Sequence, residues 1–196
     1  MDKTLEYYNS IAKEYIKSTI DANVSDLYIR FLKYLPSEAN ILDLGCGSGR
    51  DSKFFIEKGY SVTAIDGSKE ICKLTKKTIG QDVICMKFNE IDYVNEFDGV
   101  WACASILHVS TKDLASILSK ISKALKVNGY LFACFKYGEF EGERNGRYFT
   151  YLTKDRLANL LTNIEELQII ETFITQDVRA GRENEKWLNV IIRKVF

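Results

Sequence analysis

Ile41-Leu42-Asp43-Leu44-Gly45-Cys46-Gly47-Ser48-Gly49 is an apolar run that enters three spaced glycines, with an acid two residues ahead of the first. Phe54, Phe55 and Ile56 then supply apolar residues for a helix packed on a sheet, and Gly59 stands as its stop. The pattern predicts strand, tight turn, helix. Glycines let the main chain bend sharply and let a ligand approach it closely. The N–H groups at the start of the following helix favour an anionic group in that gap.

A second strand, Ser61-Val62-Thr63-Ala64-Ile65, ends in Asp66-Gly67-Ser68, about twenty residues further on. A carboxylate at the tip of the second strand of a βαβ unit is where a ribose diol is held, two hydroxyl donors meeting two acceptor oxygens. The pair of features predicts a nucleoside-bearing cofactor. A dinucleotide site needs its third glycine where Arg50 stands, and no Gly-Lys-Ser/Thr of a phosphate loop follows. Asp43 has no part in pyrophosphate binding and suits a cofactor with a cationic amino-acid end.

At these residues the chain resembles the class I S-adenosylmethionine-dependent methyltransferases, whose first motif is matched from Leu42 to Gly49 without a gap and whose second is matched by Asp66. The resemblance implies an α/β fold: a doubly wound, mainly parallel seven-stranded sheet of order 3-2-1-4-5-7-6, the last strand antiparallel, with helices on both faces. It implies methyl transfer from S-adenosylmethionine, leaving S-adenosylhomocysteine. Asp43 and the main chain of Gly45, Cys46, Gly47 and Gly49 would take the amino-acid end. Asp66, with Gly67 and Ser68 beside it, would take the ribose. Where many relatives carry an Asp after the third strand, this chain reads Lys87-Phe88-Asn89-Glu90, so Phe88 is assigned to the adenine.

Length and composition agree with one domain over residues 1–196 and a sizeable core. Basic and acidic residues balance at 27 each, so no global positive field draws the chain to nucleic acid or an anionic membrane. No apolar run approaches membrane-spanning length, and Met1-Asp2-Lys3-Thr4 does not read as a secretion signal. Five cysteines without a Cys-x-x-Cys read as small buried hydrophobes in a reducing cytoplasm, and one histidine gives a zinc site poor material. No metal is expected. The expected partner is a small-molecule acceptor, with the chain a monomer or homodimer.

Leu5, Tyr8, Ala12 and Tyr15 recur at helical spacing over Leu5–Ile16. Within the segment 1–35 this helix fits either plain packing or a lid, in which Tyr8 and Tyr15 lie against a sulfonium by cation–π attraction. A second helix, Ser25–Leu35, stops at Pro36. Ser68, Ser110 or Thr111, and Thr153 are expected to cap later helices. The fourth strand, Phe97–Cys103, leads into Ala104-Ser105-Ile106-Leu107-His108, at the sheet end where open α/β folds bind ligands. Ala104 and Ser105 therefore join the cofactor set. His108 suits a general base or a hydrogen-bonded structural histidine.

A polar, glycine-bearing loop is expected from Lys136 to Phe149 after the fifth strand, Tyr130–Phe135, and another from Asp177 to Glu183. Together with Tyr8 of the first helix, they offer Tyr137, Arg144, Arg147 and Arg179 to the substrate, with Arg182, Tyr148 and Trp187 near. Guanidinium forks suit a carboxylate or phosphate. Against that, Glu139, Glu141, Glu143 and Glu183 are expected to neutralise these arginines. The alternatives are a tRNA methyltransferase, a non-catalytic cofactor-binding domain, and a nicotinamide-dependent reductase, against which Arg50 counts.

Overall fold

The computed structural model describes residues 2–179 and 181–196; Ala180, in the second predicted loop, lies outside the described residues. Helices α1 (Lys3–Thr19) and α2 (Ser25–Leu32) precede strand β1 (Asn40–Leu44). Then α3 (Arg50–Glu57), β2 (Ser61–Asp66), α4 (Lys69–Ile79), β3 (Val83–Cys85) and β4 (Phe97–Ala102) alternate. Helix α5 (Thr111–Ala124), β5 (Leu125–Lys136), β6 (Glu141–Arg144), β7 (Arg147–Thr150), α6 (Lys154–Leu161), β8 (Leu167–Gln176) and β9 (Lys186–Lys194) complete the chain.

Seven strands form one sheet in the order β3-β2-β1-β4-β5-β9-β8, with β9 antiparallel to both neighbours. This is the expected order, once the separate β6–β7 hairpin is counted. Period-two alternation splits the central strands between two cores. Leu42, Leu44, Val100, Ala102, Leu131 and Ala133 face the layer that holds Leu114, Leu118 and Ile121 of α5 and Leu157 of α6. Ile41, Trp101, Phe132 and Ile191 face Tyr28 and Phe31 of α2 and Phe55 of α3. Trp101 is fully buried, stacked on Phe132 at 4.1 Å and close to Phe31 at 5.2 Å.

Local chemistry sets the boundaries. Asp2 accepts from the N–H groups of Thr4 and Leu5, so α1 starts before Leu5. Helix α2 ends at Leu32, and residues 33–35 close as tight turns before Pro36. Ser68, Ser110 and Thr153 each cap the helix that follows. The predicted loop after β5 is in part a hairpin. Glu141–Arg144 pairs with Arg147–Thr150 around Asn145-Gly146, both at positive φ, an Asn-Gly turn that is itself a hairpin signal. Cysteines 46, 72 and 134 are buried and Cys103 half-buried, but Cys85 is exposed, because β3 is the sheet edge. No helix among the described residues is long and apolar enough to cross a membrane.

The chain winds outward from β1 through β2 to β3, then returns to lay β4 on the other side of β1. The carboxyl ends of β1 and β4 flank this switch point, where a crevice opens. The Gly45–Gly49 turn leaves one and Ala104–His108 leaves the other.

Candidate active site

The glycine turn is held from behind. Gly45 N–H and Cys46 N–H both donate to Ile65 O at 2.9 Å. Asp66 accepts from Gly47 N–H at 3.1 Å and from Ser68 N–H at 2.8 Å. Burial raises its carboxyl above the usual range, and those amide bonds oppose the rise. Gly45 and Gly47 sit at φ +81° and +52° and form a cradle that a side chain would fill. A Cβ on Gly45 would lie 2.5 Å from Ser105 Cβ, and one on Gly47 would lie 3.0 Å from the Tyr15 hydroxyl. Ser105 Oγ is buried with no hydrogen-bond partner.

Two cavities meet at this turn. The first, of about 580 Å³, runs past Asp66, Gly67, Lys87, Phe88 and Ser105. The second, of about 440 Å³, lies towards Arg50, Cys103, Arg147, Arg179 and Trp187. Both fall in the size range of small-molecule sites. Tyr8, Tyr15, Gly45, Gly47, Ala104 and His108 line both.

Helix α1 roofs the junction. Asn9 Oδ1 accepts from Ser68 Oγ at 2.7 Å, Thr4 Oγ1 accepts from Tyr148 N–H at 3.0 Å, and Lys3 pairs with Glu143 at 2.9 Å. The Tyr8 and Tyr15 rings lie 5.0 Å apart, edge to face, an arrangement that fits plain packing as well as a lid. His108 is clamped on both nitrogens. The Tyr148 carbonyl can only accept, so Nδ1 carries the proton and donates to it at 2.6 Å. Nε2 is left as an acceptor for the Tyr8 hydroxyl at 2.8 Å. Burial holds the ring's pKa down at about 4, so the neutral form prevails at neutral pH.

Of the sequence-predicted cofactor residues, Tyr15, Gly45, Gly47, Asp66, Gly67, Phe88, Ala104 and Ser105 line the first cavity and Cys46 the second. Asp43, Gly49 and Ser68 line neither. The Asp43 carboxylate turns inward to accept from Ser52 Oγ at 2.5 Å, and its pKa is pushed up to about 8 by burial and by Asp51 nearby. Gly49 starts α3 and packs against Thr75 and Ile79 of α4. Ser68 spends its hydroxyl between the α4 cap and Asn9. Among the substrate candidates, Tyr8, Arg144, Arg147 and Arg179 line the second cavity, whereas Tyr137 points to solvent and lines neither.

Sequence reasoning missed Asp51. Buried beside the second cavity, it takes the Tyr28 hydroxyl at 2.5 Å, Trp101 Nε1 at 2.8 Å and Arg50 Nε at 2.6 Å. An acid in the first turn of a helix looked like ordinary helix-start chemistry. The expected neutralisation of the arginines also fails. Glu141 pairs with Arg156, Glu143 with Lys3, and Glu183 accepts from Gly181 N–H. No group of acids, cysteines and histidine among the described residues is arranged to hold a metal.

Comparison with known proteins bears on this site. The family described as a methyltransferase domain matches residues 41–129. An uncharacterized methyltransferase of Staphylococcus carnosus is 24% identical, covering 95% of this chain and 98% of its own. The chain spans only 42% and 65% of the length of two further curated methyltransferases. The crystal structure of Burkholderia thailandensis 1,6-didemethyltoxoflavin-N1-methyltransferase, with bound 1,6-didemethyltoxoflavin and S-adenosylhomocysteine, is similar at a TM-score of 0.73 and 22% identity, over 97% of this chain and 90% of that one. The [4+2]-cyclase SpnF is similar at a TM-score of 0.73 and 14% identity, over 97% and 94%. At such identities a structural likeness speaks for the fold, which carries more than one reaction.

Proposed function

We propose that this chain is a class I S-adenosylmethionine-dependent methyltransferase, a reading supported by the methyltransferase-domain match, and that it moves the methyl group of S-adenosylmethionine from the first cavity to a small-molecule acceptor in the second. One observation carries the proposal: the two cavities share a single wall of Tyr8, Tyr15, Gly45, Gly47, Ala104 and His108. A donor on one side of that wall and an acceptor on the other meet there.

The chain's residues fit the donor. The Gly45–Gly47 cradle admits a ligand to the main chain, the Asp66 carboxylate suits a ribose diol, and Phe88 offers an apolar face to a base. The unpartnered Ser105 Oγ is a buried polar atom awaiting a hydrogen bond. Bound there, the sulfonium supplies a methyl that leaves readily as the sulfur becomes a neutral thioether. The protein's own work is to hold, align and exclude water. The Tyr8 and Tyr15 rings suit a cationic sulfur.

Neutral His108 does not itself face the acceptor with a free lone pair, because Nε2 is occupied by Tyr8. It acts as a positioning residue that fixes the Tyr8 phenol. The Tyr8 oxygen, which already accepts from Arg147, keeps one further lone pair for an O–H or N–H on the incoming molecule. The roof formed by α1 favours a small acceptor over a nucleic-acid strand.

Calorimetric titration tests the reading. S-adenosylmethionine and S-adenosylhomocysteine should bind and NADH should not. Asp66→Ala should weaken S-adenosylhomocysteine binding by about 1–3 kcal/mol, the scale of a lost charged hydrogen bond. Unchanged affinity in that variant would remove Asp66 from the ribose, and binding of NADH alone would end the proposal.

A further inference from the structure

Six cationic side chains and three carboxylates line the second cavity. The three carboxylates are already engaged: Asp51 with Arg50, Asp177 with Arg179, and Glu185 with Lys136. The acids of the β6–β7 hairpin are also used, Glu141 by Arg156 and Glu143 by Lys3.

Three cations of this cavity, Arg144, Arg147 and Arg182, have no carboxylate within ion-pair distance among the described residues. Of these three, Arg147 is the one with a buried donor left unpartnered. Its Nε is buried and has no hydrogen-bond partner. The guanidinium sits 4.6 Å from the Tyr7 ring centre, 5.0 Å from Phe149 and 5.9 Å from Tyr8. It is held there from the hairpin turn, since a Cβ on adjacent Gly146 would touch the Tyr7 ring at 3.0 Å. A half-buried guanidinium on aromatic faces gains some cation–π attraction, and Arg147 also donates toward the Tyr8 hydroxyl oxygen, but its buried Nε–H is left without an acceptor. A planar fork of donors fits a carboxylate or a phosphate. The fork faces the same cavity as Tyr8 and His108, which lie at the shared wall.

We infer that the methyl acceptor is a small oxyanion, bearing a carboxylate or phosphate group that Arg147 takes while its nucleophile lies toward Tyr8. The inference rests on the methyltransferase reading and names the substrate class of that site. Arg147 is then a specificity-determining residue. Neutral analogues are rejected because they leave its buried Nε–H unpaired in a partly dry cavity.

The test uses the full chain saturated with S-adenosylhomocysteine, at fixed ionic strength, titrated with benzoate, phenyl phosphate and the neutral isostere benzamide. One of the anions should bind at least about tenfold more tightly than benzamide, and which one identifies the oxyanion. Arg147→Gln should abolish that preference and leave S-adenosylhomocysteine affinity unchanged. Arg147→Lys, which keeps the charge and loses the fork, should weaken the preferred anion at least about threefold. Equal binding of anions and benzamide overturns the inference, as does binding by none of the three. So does an Arg147→Gln protein that keeps the preference, or an Arg147→Lys protein with unaltered anion affinity. If Arg147→Gln weakens S-adenosylhomocysteine itself, the guanidinium serves the donor's carboxylate, and the inference fails while the methyltransferase reading stands. If the wild type binds no S-adenosylhomocysteine, that reading fails, and the anion preference is then measured on the unloaded protein.

Discussion

Gly45→Ala separates backbone strain from steric closure at the cofactor cradle. Gly45 has φ +81°, where an L side chain is strained by about 1–2 kcal/mol. The added methyl would also stand 2.5 Å from Ser105 Cβ and 3.3 Å from Phe88 Cζ. Ser105 Cβ is one bond from the main chain, so it yields only if the wall after β4 moves. Forcing a methyl into such packing costs about a further 1–3 kcal/mol. Gly59 is the internal control. It has φ +87° but nothing within 4 Å of an added Cβ, so Gly59→Ala carries the strain alone, again about 1–2 kcal/mol. Urea denaturation of both variants against wild type gives the two losses at a common slope. Gly45→Ala should lose about 2–5 kcal/mol in all. Calorimetry should show S-adenosylhomocysteine affinity falling more than about tenfold in Gly45→Ala and holding in Gly59→Ala. Equal stability losses in the two variants, or unaltered affinity in Gly45→Ala, would refute the cradle.

Acid stability reports on His108. Burial lowers its pKa from 6.5 to about 4, so between those values the unfolded chain binds the extra proton. Its contribution is present above pH 6.5 and is lost as pH falls towards 4, about 3 kcal/mol in all. Urea midpoints across this window should fall more steeply for wild type than for His108→Gln, a comparison that cancels the carboxylates; parallel curves would contradict the buried neutral ring. Asp51→Ala should cost about 3–5 kcal/mol, because it strands Arg50, the Tyr28 hydroxyl and Trp101 Nε1 together. Asp51→Asn, which keeps an acceptor, should cost less, and a loss under about 1 kcal/mol for Asp51→Ala would show that the hub is not needed.

The fold was legible where local rules and long-range order coincide. Three glycines after an apolar strand, and Asp66 at the tip of the next, carry their meaning in the backbone conformations they permit and in spacing along the chain. Period-two alternation in β1, β4 and β5 already divides residues between two sheet faces, and caps such as Ser68 act within one turn. The Asn145-Gly146 hairpin was legible too, but a polar stretch between strands reads as loop unless its turn dipeptide is weighed.

Pairing between distant residues was not legible. Whether Asp43 faces the cofactor or Ser52 depends on how α3 seats against β1, and the sequence holds no trace of that rotation. The charges near the second cavity read as balanced along the chain. Folding gives Glu143 to Lys3, 140 positions away, Glu141 to Arg156, and no carboxylate among the described residues to Arg144, Arg147 or Arg182. An ion pair is decided by separation in space, and composition fixes only how many charges there are. Which guanidinium groups are left without a counter-ion, and which of them is left with a buried unpartnered donor, is therefore a property of the assembled tertiary structure.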